Sequence, residues 1–111
     1  MIEKIILDYL KAALDVPVSM QLPADPPPRC VVLEKTGSSC TDHIYTAMLA
    51  VQSYASSLYG AAALNEQVKA AMADADTLPE VCAVRLNTDY NFTDTASKRY
   101  RYQAVFDITH Y

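Results

Sequence analysis

A chain of 111 residues makes one domain, large enough to bury a core without disulfide or metal staples. Apolar residues make up 51% of it, which excludes intrinsic disorder, and the formal net charge of −4 argues against a general nucleic-acid coat, because backbone binding needs a basic footprint. No run approaches the roughly 18–20 apolar residues of a membrane span, and Glu3, Lys4, Asp8 and Lys11 break up any signal-peptide core. Cys30, Cys40 and Cys82 are odd in number and widely spaced, the pattern of reduced thiols in a cytoplasmic protein.

In chain order, Ile2, Ile5, Ile6, Tyr9, Leu10 and Ala13 recur at helical spacing, which predicts an amphipathic helix over 2–14. Pro17 ends it, since the residue before a proline leaves the α region. Val18, Met20 and Leu22 alternate as a short first strand. Four prolines between Pro23 and Pro28 then make a stiff, extended connection. Cys30–Thr36 reads as a second strand, ended by a turn over Thr36–Ser39. Ile44–Tyr54 reads as a third, apolar on both faces and therefore central and covered on both sides. The second and third strands are expected to form an antiparallel hairpin.

Ser56 or Ser57 is a suitable N-cap for a second helix over Ser57–Ala73, with Ala61, Leu64, Val68, Ala71 and Met72 buried. Gly60 and the alanines after it form a thin surface that lets this helix lie close on a sheet. Pro79 marks its exit, and Val81–Tyr90 is the fourth strand. The fifth is the clearest. From Tyr100 onward, Tyr100, Tyr102, Ala104, Phe106, Ile108 and His110 point one way while Arg101, Gln103, Val105, Asp107 and Thr109 point the other. At ~3.3 Å per residue it runs about 36 Å, against an expected radius of gyration of about 13 Å, so it crosses the whole molecule and can project beyond it. The fourth and fifth strands form a hairpin whose register charge alone leaves open. One register sets Asp89 opposite Arg101, and a shift of two sets Arg85 opposite Asp107. The element order is αβββαββ, an α+β fold.

Three constellations bear on chemistry. Cys40, Asp42 and His43 crowd one loop, but a cysteine nucleophile needs a base in hydrogen-bond reach and an orienting third group, which so short a spacing rarely gives. A metal site there lacks a fourth ligand at suitable spacing. Lys98, Arg99 and Arg101 with Tyr100 and Tyr102 are the third. They suit three readings: an ion-paired strand interleaved by Asp89, Asp94 and Asp107; a protein contact, since Arg and Tyr dominate interface anchors; or a clamp on single-stranded nucleic acid. The remaining carboxylates lack the paired arrangement of a hydrolase.

LDVPV at 14–18, VVLEKTG at 31–37, LAVQSYASSLYGAAALNEQVKAAM at 49–72 and LNTDYNFTDTASKRYRYQAVFDITHY at 86–111 together span most of the chain. In these pieces the chain resembles the small tail terminator (tail completion) proteins of siphovirus-type bacteriophages and prophages. The resemblance implies a single-domain α/β sandwich over 1–111, with a mainly antiparallel mixed sheet of about five strands and two helices. It implies a minor tail protein of the virion rather than an enzyme, with no cofactor and no metal. Such proteins form a hexameric ring at the head-proximal end of the tail, assembled in the host cytoplasm. The ring caps the tube of major tail tube protein, stops its polymerisation, and offers the head-tail joining surface to the head-completion or connector protein. Genomic DNA only passes through the lumen. Six copies would carry about −24 at −4 each, so a duplex should not stick to the wall. The neighbouring expectation is a head-completion or stopper protein of the same neck, and the more distant one a small nucleic-acid-binding accessory domain. The residues expected at subunit or tube contacts come from the sequence itself: Tyr90, Phe92, Asp94, Arg99, Arg101 and Tyr102 on the C-terminal hairpin, with Glu34, Lys35, Asp42 and His43 on the other long loop.

Overall fold

In a computed structural model, which describes residues 1–93 and 99–111, the elements follow the expected order. They are α1 (Ile2–Ala13), β1 (Val18–Ser19), β2 (Cys30–Thr41), β3 (Ile44–Ala55), α2 (Leu58–Ala73), a 3-10 turn (Ala75–Thr77), β4 (Val81–Asn91) and β5 (Tyr100–His110). The strands form one mixed sheet in the order β1-β2-β3-β5-β4, parallel only between β1 and β2. The fold is α+β.

Both helices pack on the same face of the sheet. Ile2, Ile6, Leu7 and Leu10 of α1 and Leu64, Val68 and Met72 of α2 share one core with Val31 and Leu33, Ala47, Leu49 and Val51, and Ala104, Phe106 and Ile108. Every second strand residue points into that layer, as pleating requires. The Tyr9 hydroxyl donates to the Ala71 carbonyl at 2.6 Å and ties the two helices together. Burial, reinforced by Asp74 and Asp76, pushes the Tyr9 phenol further up, so it stays a donor. The Ser57 side chain caps α2 by accepting from the Gly60 amide at 3.0 Å. A Cβ on Gly60 would stand 3.2 Å from that of Ala55. Close approach of the helix start to the end of β3 accounts for glycine there.

Four expectations need correction. The first strand shrinks to Val18–Ser19, with Met20 and Leu22 exposed. The second does not end near Thr36: a bulge between Lys35 and Gly37 absorbs the irregular residue, and the strand continues to Thr41. The chain reverses instead at Asp42 and His43, whose φ angles of 52° and 65° are left-handed. Paired positive φ suits the right-handed twist of a two-residue hairpin. Third, β3 is central and buried on both faces from Leu49 to Ala55, but helices cover only one face, and nearer the turn the other face opens, with Met48 39% exposed. Fourth, β5 does not project as an arm, because β3 and β4 flank it throughout its length.

The hairpin takes the second of the two registers, and the one that set Asp89 opposite Arg101 does not occur. Val84 faces Ile108 and Arg85 faces Asp107, but a bulge between Leu86 and Thr88 then moves Asp89 opposite Ala104. Asp89 thereby reaches α2. It accepts from Asn65 Nδ2 at 2.9 Å and pairs with Lys69 at 3.0 Å.

Candidate interaction surface

On the face opposite the helices, β2, β3, β5 and β4 present Cys30, Val32, Gln52, Tyr54, Arg101, Gln103 and Tyr90 at paired rungs. These side chains form a connected polar and aromatic network. Gln103 Nε2 donates to the Tyr90 hydroxyl at 2.6 Å, Gln52 Nε2 donates to Gln103 Oε1 at 2.8 Å, and the Tyr54 hydroxyl donates to Gln52 Oε1 at 3.3 Å. Arg101 Nη1 donates to the Tyr54 hydroxyl at 3.0 Å, and its Nε donates to the Phe92 carbonyl. Its guanidinium lies 4.3 Å from the Phe92 ring centroid and 5.8 Å from that of Tyr54. The Arg99 guanidinium stands 5.3 Å from the same Tyr54 ring, while its Nη2 donates to the Pro27 carbonyl at 3.0 Å. Tyr90 and Phe92 meet edge to face at 5.7 Å.

Each cation sits within ~6 Å of an aromatic face, close enough for attraction to the ring quadrupole. The ion-paired reading of this strand is therefore corrected where the residues are described. Asp89 pairs with Lys69 on the helix face, and Asp107 accepts from Asn87 at 3.2 Å. Lys69 is the charged group that this arrangement perturbs: hydrogen bonds to Glu66 and then to Asp89 raise its pKa. Beneath Arg99, burial pushes the Cys30 thiol up against the opposing pull of that guanidinium.

Of the expected contact residues, Tyr90, Phe92, Arg99 and Arg101 gather on this helix-free face, around the buried Cys30, Val32 and Tyr54. Asp94 and the neighbouring Lys98 lie outside the described residues. Tyr102 does not join the arginines. Its rung partner is Ser53, and it lines a cavity of about 490 Å³ against Tyr59, Ala62, Ala63, Asn65 and Glu66 of α2. Glu34 and Lys35 are not in a loop but in β2, where Lys35 stands 3.6 Å from Glu3 of α1. Asp42 and His43 occupy the tip of the β2–β3 turn. From Ile44 to Tyr54 is roughly 33 Å of strand at ~3.3 Å per residue, so this tip and the arginine cluster stand at opposite ends of the sheet.

Sequence reading missed Gln52, Tyr54, Gln103 and the Pro27 carbonyl, which join the network only through the pairing of β3 with β5. The pattern held one cue, since Gln103 shares a strand face with Arg101. Cys40 is exposed in β2, and among the described residues no three His, Cys, Asp or Glu side chains gather as a metal site. No described helix is long and apolar enough to cross a membrane. A scan against protein-family models finds none that matches this chain, and a search of curated proteins finds no sequence relative.

Proposed function

We propose that this chain is a non-enzymatic virion protein that caps the tail tube of a long-tailed phage as a ring, most economically a hexamer, and forms the surface where the head joins. The observation that carries the reading is the helix-free sheet face, where Cys30, Val32, Gln52, Tyr54 and Gln103 are buried and an aromatic and cationic rim surrounds them. It bears two arginines stacked on tyrosine and phenylalanine, with Tyr90 and Phe92 each 40% exposed beside them. Arginine and aromatic side chains held in fixed rotamers are the usual anchors of protein interfaces, because little conformational freedom remains to be lost on docking.

The pieces of sequence that resemble tail terminators supply the specific role, and the net charge of −4 fits a subunit whose ring must let a duplex slide past. Electron microscopy of particles carrying a tagged copy tests it. The label is expected as a ring at the head-proximal end of the tail tube. A label at the portal would move the protein to a stopper role, and a label absent from particles would overturn the virion reading.

A further inference from the structure

The sheet has two outer edges, and neither is fully closed. On one side, β1 pairs only with Val31 and Val32, which leaves Glu34–Thr41 of β2 without a neighbour among the described residues. On the other, β4 pairs with β5 alone. The amide of Phe92 donates to the Arg101 carbonyl at 2.9 Å, which sets the phase of the ladder. Bonded and unbonded pairs alternate in an antiparallel ladder, so the odd-numbered residues of β5 bond to β4. Val84 and Leu86, opposite Ile108 and Phe106, then turn their N–H and C=O groups away from the sheet.

The two open edges match each other. Following the rungs across the sheet, Gly37 is level with Met48, Asp107 and Arg85; Ser38 with Ala47, Ile108 and Val84; and Lys35 with Leu49, Phe106 and Leu86. Because β2 and β4 run in opposite directions within one sheet, a second copy set beside the first in the same orientation presents its β2 antiparallel to this β4. The exposed stretches have similar length and height. Gly37 follows the bulge, and a Cβ there would meet nothing within 4 Å, so the edge is open at that height. Edge strands left this open are ordinarily shortened or blocked by lysine or proline. β1 shows such shortening, whereas β4 carries neither residue and, between its two bulges, keeps a regular run from Ala83 to Leu86.

We infer that β4 of one copy pairs with the Glu34–Thr41 edge of the next, so that the sheets of neighbouring subunits run on as one antiparallel ladder. The contact is head-to-tail and repeats around a closed ring. It rests on the ring reading above and specifies the subunit contact within it, leaving the helix-free face and its arginines for the tube or the connector.

Two measurements test it, both with the full chain assembled in the presence of tail tube protein. Hydrogen exchange resolved to single amides should find Val84 and Leu86 fast in the free chain and slowed at least tenfold in the assembly. Leu86→Pro removes one outward N–H and no internal ladder bond, so the variant should stay folded by circular dichroism and lose the assembled form. An assembly whose Val84 and Leu86 amides remain fast, or which Leu86→Pro leaves intact, overturns the edge pairing while leaving the ring in place. A chain that never associates with itself beside the tube overturns both.

Discussion

The two faces of the sheet use one strand for opposite purposes. Toward the helices, β5 sends Ala104, Phe106 and Ile108, which are at most 2% exposed. Toward the helix-free face the same strand sends Arg101, Gln103, Val105 and Asp107; Gln103 is buried in the hydrogen-bonded network and the others stay half-buried. The first face gains stability by removing apolar area from water. The second spends polar groups on holding aromatic and guanidinium side chains in place. Folding therefore depends chiefly on the first face, and the docking on tube or connector proposed above would fall to the second.

The sharpest way to break that contrast is at adjacent positions. Phe106→Ala should cost about 3–5 kcal/mol, since it opens a cavity in the core, whereas Val105→Ala next door should cost about 1 kcal/mol or less; thermal or urea unfolding reads the difference. A second prediction reverses the ranking. Arg101→Ala removes bonds to Tyr54 and Phe92 and should lower fold stability by only about 1–2 kcal/mol. Binding of the chain to tube ends should weaken by more than about 2 kcal/mol, the scale of an interface anchor. Equal losses in unfolding and binding would deny the division of labour.

The smallest expected effect lies on the helix face. Lys69 donates hydrogen bonds to Glu66 and Asp89, which raise its pKa. A raised lysine pKa stabilises the fold fully below the unfolded value of about 10.4, and the contribution disappears as pH rises through the folded value. Lys69→Met should thus cost a few tenths to about 1 kcal/mol at neutral pH, the usual range for a partly exposed pair. The gap between variant and parent should close in alkali, as urea titrations across that range will read.

Much of the helix face was legible, because burial imposes periodicity. The alternation along β5, the α2 stripe and the Ser57 cap all follow from residue spacing and one hydroxyl at a helix start. The helix-free face was legible only in part. Arg101 and Phe92 stand out as types, but Gln52 and Tyr54 join them through the β3–β5 register, which no local pattern specifies. Bulges account for other misses: the extra residue near Thr36 mimics a turn, and the one at Asn87 carries Asp89 away from Arg101. Asn65, buried at 1% exposure in an apolar stripe, follows from Asp89 landing beside α2. Tyr102 was separable from Arg101 by parity alone, yet shared composition grouped the two.

On the reading proposed above, the helix-free, arginine-bearing face docks on protein and ends a growing tube. The most direct test of that reading is the length distribution of tubes polymerised from purified tail tube protein with and without this chain. Added chain should give shorter tubes, each closed by a ring at one end, and the Arg101→Ala variant should shift the lengths back. Tubes of unchanged length with bare ends, at concentrations where the chain is folded, would contradict it.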